Sequence, residues 1–285
     1  MANIRKLKKE EFPKTLLEIP QPPKELWLEG VLPSDEKILL CVVGSRRLTS
    51  YGKEVCRKLI SGLKGYPVVI VSGLAVGIDT IAHQTALEAG LPAMALPGSG
   101  LSREVIYPSS NISLADRIVE NGGCLLSEFP PETKATQWGF PQRNRLMAGL
   151  ARAVLIVEAG QKSGTLITAR LALDYNRDVL AVPGPIFAPN SQGTNWLIRQ
   201  GATPITSPED LLEALGFSVE RPDQKMLFED CSPEERAVLD LLIETLPRDE
   251  IIRQLDWSAS KASAVLATLE LKGLIKESLG ELHRI

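Results

Sequence analysis

The chain has 285 residues, of which 44% are apolar and 24% are charged, and its formal net charge is −3. This composition is typical of globular proteins rather than disordered ones, and the length allows one large domain and one small one. The acidic balance excludes a protein that binds nucleic acid through its overall charge. Any nucleic-acid site therefore has to be a local basic groove.

The amino-terminal stretch, residues 1–36, is rich in proline and charge. Its first residues, MANIRKLKKEEF, lack the apolar core of a signal peptide, and no run in the chain approaches the roughly 20 apolar residues of a membrane span. We therefore expect no membrane contact and a cytoplasmic location. Residues 1–36 are predicted to form an extended arm that packs on the main domain through Leu26, Trp27 and Leu28.

Short apolar strands alternate with helices between residues 37 and 216. This alternation predicts right-handed crossovers and a parallel sheet covered on both faces, so the fold class is α/β. The predicted strands are Ile38–Val43, Val68–Val71, Ala93–Leu96, Cys124–Leu126, Ala153–Val157, Val179–Val182 and, at an edge, Thr203–Ile205. The predicted helices are Tyr51–Leu63, Thr80–Ala89, Leu114–Glu120, Arg145–Ala151, Leu166–Asn176 and Pro208–Leu215.

Small residues follow nearly every predicted strand, for example in Gly44-Ser45-Arg46 and in Gly160–Thr165. Ligands of such sheets bind beyond the carboxyl ends of the strands, so we expect these turns to share one groove. The turn Gly160–Thr165 also precedes a helix. Free backbone N–H groups at a helix start, with guanidinium groups nearby, predict a phosphate site.

Neither cofactor nor metal is expected. The chain lacks the G-x-G-x-x-G fingerprint of dinucleotide binding and the G-x-x-x-x-G-K of a P-loop. Its four cysteines, Cys41, Cys56, Cys124 and Cys231, are scattered and form no C-x-x-C pair. We expect them to be buried, reduced thiols, and with two histidines a metal cage is not expected.

Two pairs of side chains could carry catalysis. Asp79 and His83 are four apart on one helix face, but a capping role for Asp79 and a hydrogen-bonded packing role for His83 are favoured over a catalytic pair. Glu128 and Glu158 each end a strand, which leaves a carboxylate dyad open. We favour the alternative in which they orient the nearby arginines, and we predict no catalytic residue.

Cations and aromatic side chains are interleaved where the groove is expected. The cations are Arg46, Lys134, Arg143, Arg145 and Lys162, and the aromatics are Phe129, Trp138 and Phe140. Cations for phosphates beside rings for bases are what a single strand of nucleic acid requires. A core role for Phe129 and Phe140 is the alternative.

Residues 217–231 lack a clear period and are predicted to be a linker. At Ser232-Pro233-Glu234-Glu235 a capping box opens a second domain, residues 232–285, with three helices and a two-stranded end. This is the outline of a winged helix. From Ser232 onward seven Lys and Arg oppose ten Asp and Glu. A protein-contact or regulatory role is therefore at least as well supported as duplex binding.

Several motifs in their order carry a resemblance to a known family. They read VVGSRRLTSYG (Val42–Gly52), VSGLAVGIDTIAHQTAL (Val71–Leu87), IYPSSN (Ile106–Asn111), LLSEFPP (Leu125–Pro131), FPQRNRLMAGL (Phe140–Leu150), VEAGQKSGTLITARLAL (Val157–Leu173) and VPG followed by GTNWLIRQGA. From Phe12 to about Leu215 the chain resembles the bacterial DNA-processing protein family called DprA or Smf.

The resemblance implies an extended Rossmann-like domain for residues 37–216 that binds single-stranded DNA without catalysing a reaction. It also implies protection of incoming DNA and loading of the RecA recombinase in natural transformation and recombination, contact with single-strand-binding protein, and a homodimer. By its motifs, the DNA-binding residues are Ser45, Arg46, Ser72, Gly73, Lys134, Phe140, Arg143, Asn144, Arg145, Ser163, Gly164 and Thr165, and the cluster of cations described above adds Lys162. The chain departs from the family at Val76, where arginine is usual. Loss of Arg46 or of Arg143 is expected to weaken binding with the fold intact.

The rival hypothesis is an enzyme. The family is similar in fold to phosphoribohydrolases that release the base from a nucleoside monophosphate and carry PGGxGTxxE, with a glutamate needed for chemistry. Here Thr168 stands where that glutamate should be. The phosphate cradle is kept and the acid is missing, which favours the DNA-binding hypothesis.

Overall fold

The computed structural model describes residues 3–219, 231–242, 245–255, 257–278 and 280–284. Its contacts divide the chain into two compact units, Met1–Val219 and Glu220–Ile285. Most of the predicted linker, residues 220–230, lies outside the described residues. None of the described helices is both long enough and apolar enough to cross a membrane.

The larger unit is built on a sheet of nine strands among the described residues. They are β1 (Arg5–Lys6), β2 (Trp27–Gly30), β3 (Ile38–Val43), β4 (Val68–Ser72), β5 (Ala93–Ala95), β6 (Cys124–Ser127), β7 (Ala153–Ile156), β8 (Asp178–Ala181) and β9 (Thr203–Pro204). The order is β1-β2-β6-β5-β4-β3-β7-β8-β9, and the strands from β3 to β9 are parallel. The predicted parallel α/β sheet is confirmed.

The chain reverses its direction across the sheet between β3 and β7. From β3 it runs through β4 and β5 to β6, then returns to place β7 on the other side of β3. The register pairs Cys41 with Val154 and Val43 with Ile156. The loops that leave β3 and β7 therefore diverge to opposite faces and leave a crevice between them, which is where such sheets bind ligands.

Eight α-helices of the larger unit are described: α1 (Lys14–Leu17), α2 (Ser50–Ser61), α3 (Ile78–Glu88), α4 (Ile112–Glu120), α5 (Gly139–Leu150), α6 (Thr165–Asp174), α7 (Gln192–Arg199) and α8 (Pro208–Ala214). Apolar strand residues alternate between two buried clusters, one shared with α2, α3, α4 and α8 and the other with α1, α5, α6 and α7. The sheet is thus covered on both faces. Cys41, Cys56 and Cys124 are buried within these clusters as free thiols.

Helix α5 differs from its prediction because it begins at Gly139 rather than at Arg145. Pro141 is tolerated because in the first turn of a helix the N–H that proline lacks has no intrahelical acceptor anyway. The extra turn carries Phe140 and Arg143 into the helix. Their positions are therefore fixed by helical geometry instead of by a loop.

The amino-terminal residues add two strands that the sequence analysis does not predict. Strand β2 pairs antiparallel with β6, and β1 pairs antiparallel with β2. Leu26 and Leu28 are fully buried in the sheet, which explains the apolar cluster in this proline-rich stretch. The predicted extended arm thus covers an edge of the sheet, where unpaired backbone groups would otherwise be exposed.

The smaller unit contains α9 (Pro233–Leu241), α10 (Arg248–Gln254) and α11 (Ala259–Leu271), with strands β10 (Leu246–Pro247), β11 (Ile275–Ser278) and β12 (Glu281–Arg284). Strand β12 pairs antiparallel with both β10 and β11. The capping box predicted at Ser232 is present, since its hydroxyl accepts from the Glu235 N–H while the Glu235 carboxylate accepts from the Ser232 N–H. The unit has the predicted winged-helix fold.

Candidate nucleic-acid interface

A cleft of about 630 Å³ opens beyond the carboxyl ends of β3 and β7, at the crevice predicted by the strand order. We call it the rim cleft. It is lined by the loop after β3, the start of α3, the first turns of α5, the loop after β7 with the start of α6, and Asn190. Nine of the predicted DNA-binding residues line it, namely Ser45, Arg46, Phe140, Arg143, Asn144, Lys162, Ser163, Gly164 and Thr165.

The loop after β3 is held by the start of α3. The Ile78 N–H donates to the Ser45 carbonyl oxygen at 3.2 Å, and the preceding Gly77 has a φ of +88°. A Cβ on Gly77 would lie 2.3 Å from that oxygen, so only glycine allows this approach. With the backbone fixed, the side chains of Arg46 and Arg47 are exposed beside the cleft, and neither forms an ion pair within the described part of the chain.

The loop after β7 is tied to the loop after β3. The Thr165 hydroxyl donates to the Gly44 carbonyl oxygen at 3.1 Å, and the Ser163 hydroxyl oxygen accepts from the Thr165 N–H at 3.2 Å. The Gly164 N–H has no acceptor among the described residues and lies at the positive end of α6. This arrangement is suited to a phosphate.

Arg143 forms the floor of the cleft and is 5% exposed. Its Nη1 donates to the carbonyl oxygens of Gly73 and Leu96. Burial lowers the pKa of Arg143, and the charge of Asp79 opposes that effect. A Cβ on Gly73 would lie 2.0 Å from Nη1. The guanidinium is therefore a buried part of the floor, whereas Arg46 is a free cation at the mouth.

Asp79 stabilises the loop after β4 rather than capping α3. Its carboxylate accepts from the N–H groups of Gly73 at 3.1 Å and Ala75 at 3.4 Å, both of which precede the helix. Burial raises the pKa of Asp79, while Arg143 and these two N–H groups oppose that rise.

His83 is fully buried, and burial lowers its pKa to about 4. The Ser72 backbone opposes this shift, but neither ring nitrogen makes a hydrogen bond with a described residue. The expected hydrogen bond of His83 is thus absent there, although its packing role is kept. No hydrogen bond joins it to Asp79 among the described residues.

The two strand-end glutamates have different partners. Glu128 forms an ion pair with Arg145, which also donates to the Gln21 carbonyl oxygen at 2.5 Å. Glu158 instead accepts from the Thr49 N–H at 3.1 Å and from its hydroxyl at 2.5 Å. Glu128 therefore orients an arginine as expected, and Glu158 fixes the start of α2.

Four predicted residues lie outside the lining of the rim cleft. Ser72 is fully buried and its hydroxyl donates to the Val42 carbonyl oxygen at 2.7 Å. Gly73 lies beneath the Arg143 guanidinium, and Arg145 is occupied by Glu128. Lys134 is exposed in the loop before α5, with no ion pair to a described residue. Of the four, only Lys134 has a charge free to meet a ligand.

One of the three predicted aromatic rings borders the rim cleft beside Arg46. Phe140 lines it, and the Arg46 guanidinium lies 5.1 Å from the centre of its ring. Phe129 is half-buried and is not part of the lining, while Trp138 is 84% exposed. Of the three predicted aromatic residues, Phe140 therefore lines the cleft, whereas Phe129 and Trp138 do not.

Among the lining residues that are absent from the predicted DNA-binding set, Arg47 and Asn190 are the two with a polar side chain that is not buried. Arg47 follows Arg46 directly, so the doubled arginine was the available signal. Asn190 is distant in sequence, and its amide donates to the Arg47 carbonyl oxygen at 2.8 Å. Nothing in the sequence indicates that contact.

Comparison with known proteins identifies relatives of both units. A family model described as DNA recombination-mediator protein A matches residues 3–216, and one described as the DprA winged helix domain matches residues 222–280. Protein Smf of Escherichia coli (strain K12) is 38% identical over 278 residues, which are 93% of this chain and 73% of that protein.

Two solved structures are similar to the larger part of the chain. The X-ray structure of DNA processing protein A (DprA) from Streptococcus pneumoniae has a TM-score of 0.70 at 38% identity and covers 76% of each chain. The structure from Helicobacter pylori, described for its single-stranded DNA binding mode, has a TM-score of 0.67 at 31% identity and covers 75% of this chain and 98% of that one. The resemblance drawn from the motifs is confirmed.

Proposed function

Since this chain belongs to the DNA recombination-mediator protein A family, also called DprA or Smf, we propose that it binds single-stranded DNA in the rim cleft without breaking a bond in it. The observation that carries the proposal is the group of exposed cations Arg46, Arg47 and Lys162, which form no ion pair within the described residues, around the start of α6. The Helicobacter pylori relative, whose structure is described for its single-stranded DNA binding mode, supports single-stranded DNA as the ligand.

The chemistry of the lining favours an unpaired strand over a duplex. Lys162, Arg46 and the Gly164 N–H can bind phosphate oxygens, and the Phe140 ring of α5 lines the same cleft, with the Arg46 guanidinium 5.1 Å from its centre. A ring inside a cleft can stack only on a base that is not already paired and stacked in a helix. The lining therefore suits a sugar-phosphate chain whose bases are free.

Arg46→Ala tests the proposal directly. Fluorescence anisotropy with a labelled oligothymidylate is expected to show binding about five- to tenfold weaker than that of the unchanged protein, with a salt slope smaller by about 1, because one phosphate contact is lost. Arg199→Ala is the matched control, since Arg199 is exposed on α7 and is not part of the cleft lining. Equal affinities of the two variants would place the DNA elsewhere.

The rival enzyme is tested with nucleoside monophosphates. Thr168 is 1% exposed in α6, where the phosphoribohydrolases carry their glutamate. The Glu158 carboxylate is occupied by Thr49, so it is not free to replace that acid. We expect no release of free base on prolonged incubation, and release that disappears in a Thr165→Ala variant would establish the enzyme instead.

The family resemblance extends the proposal to partners. The protein would protect incoming DNA during natural transformation, displace single-strand-binding protein and load the RecA recombinase as a homodimer. The test measures RecA filament growth on DNA coated with single-strand-binding protein. Growth is expected to be faster with the unchanged protein than with Arg46→Ala. No acceleration by either protein would restrict the function to DNA binding.

A further inference from the structure

Tyr107 has a large apolar side chain that the fold does not use. It is 54% exposed, and its hydroxyl makes no hydrogen bond with a described residue. Burying an aromatic ring normally stabilises a protein, and a tyrosine hydroxyl usually finds a partner where the ring serves packing. Tyr107 is buried over less than half of its surface and its hydroxyl has no partner among the described residues, so part of its ring is available to a ligand.

The ring of Tyr107 continues the aromatic surface of the rim cleft. Its centre lies 5.9 Å from that of Phe140, and the two rings are tilted by 53°. Phe140 in turn has the Arg46 guanidinium 5.1 Å from its centre. A tilted contact does not stack the two rings face to face, and Tyr107 keeps 54% of its surface exposed, so part of its ring is accessible to a ligand.

We propose that Tyr107 is a base-stacking residue that receives the next base of a single DNA strand as it leaves the rim cleft past Phe140. The proposal rests on the proposed function and deepens it, because it gives the path of the strand beyond the cleft. The occupant is the same strand, because Arg46, an exposed cation with no ion pair among the described residues, lies against Phe140, the ring that Tyr107 contacts. An aromatic ring near such a cation stacks on any base and so adds affinity without sequence preference.

This path predicts a dependence on length. An oligothymidylate of about 4 nucleotides fills the cleft alone, whereas one of about 12 nucleotides continues onto Tyr107, within the site sizes usual for single-strand binders. Tyr107→Ala is expected to weaken binding of the longer oligonucleotide about five- to tenfold and to leave that of the shorter one unchanged. Tyr107→Phe keeps the ring and is expected to bind both like the unchanged protein.

The experiment measures both lengths by fluorescence anisotropy for the unchanged full chain, Tyr107→Ala, Tyr107→Phe and Arg46→Ala. Arg46→Ala should weaken both lengths. If it does and Tyr107→Ala leaves the longer oligonucleotide unaffected, the stacking assignment is overturned while the proposed function stands. Equal losses in Tyr107→Ala and Tyr107→Phe would also overturn it, because the ring would then be irrelevant. If neither oligonucleotide binds the unchanged protein, both proposals are lost.

Discussion

Arg46 and Arg143 differ in what surrounds them, although the sequence assigns both to phosphate. Arg46 is exposed beside Phe140, whereas Arg143 is buried and donates to two backbone carbonyls. Removing a buried guanidinium leaves those carbonyls unpaired and Asp79 without its neighbouring charge. From the sequence we expect an intact fold after either substitution, but the structure predicts that only Arg46→Ala keeps full stability.

Substitutions at two glycines of the site are expected to have different effects, one on both stability and DNA binding and the other on DNA binding alone. Gly73→Ala places a methyl group 2.0 Å from Arg143 Nη1, so we expect the free energy of unfolding to fall by about 1–3 kcal/mol and DNA binding to weaken. Gly164→Ala adds its methyl group to open space in helical backbone, so stability should be unchanged or slightly raised while binding weakens. Urea denaturation and oligothymidylate binding check both. Unchanged binding in Gly164→Ala would contradict a phosphate at the start of α6.

Burial of His83 predicts a pH dependence of stability. The folded protein keeps His83 neutral down to about pH 4, whereas the unfolded chain takes up its proton below about pH 6.5. The free energy of unfolding therefore falls as the pH drops through this window, by a total of about 3 kcal/mol from this residue. The raised pKa of Asp79 makes the free energy of unfolding rise as the pH drops. This contribution is expected in the unchanged protein and in a His83→Gln variant alike, so it cancels when the two are compared.

His83→Gln is the comparison. Because glutamine does not titrate, the difference in unfolding free energy between the two proteins should change between pH 6.5 and pH 4 by the contribution of His83. Urea denaturation at several pH values measures it. A constant difference across the window would show that His83 takes up its proton at the same pH in the folded and unfolded protein, and would contradict the lowered pKa.

At the scale of elements, α5 is joined to β6 by the ion pair of Arg145 and Glu128. Both side chains are 12% exposed. Arg145→Ala leaves the Glu128 carboxylate without an opposite charge, with the Gln142 amide at 3.1 Å as its remaining side-chain donor among the described residues, and is expected to cost about 3 kcal/mol of unfolding free energy. Arg145→Ala combined with Glu128→Gln should recover part of that loss, because no uncompensated charge remains. A double variant less stable than Arg145→Ala would contradict this account of the pair.

The positions of the parallel strands were predictable because buried parallel strands are continuous apolar runs. Every predicted strand end lies within one residue of the end in the structure. The exceptions have physical causes. The pairing of β2 with β6 joins residues almost a hundred positions apart, and α5 extends through Pro141 because a first turn tolerates proline. Within the site, the cations could be recognised from the sequence by residue type. The difference between the exposed Arg46 and the buried Arg143 could not, because burial depends on the tertiary fold.

At the scale of the molecule, each of the two units has its own core. Two clusters cover the faces of the large sheet, and a third lies within Glu220–Ile285. In the smaller unit Lys261 pairs with Glu234 and Lys272 with Glu235, which leaves α11 without a free basic face among the described residues.

We expect a chain ending at Val219 to fold and to bind oligothymidylate within about twofold of the full chain, since a twofold change is below the effect of losing one phosphate contact. Loss of binding in anisotropy, with the fold kept by circular dichroism, would assign the DNA contact to the smaller unit.

We propose that loops at the crevice between β3 and β7 hold the phosphates of an unpaired strand. A crystal structure of the full chain with a short oligothymidylate would show where the strand lies. We expect one phosphate within hydrogen-bond distance of the Gly164 N–H, with Arg46 and Lys162 on neighbouring phosphates. A strand bound outside the rim cleft, with the start of α6 unoccupied, would contradict it.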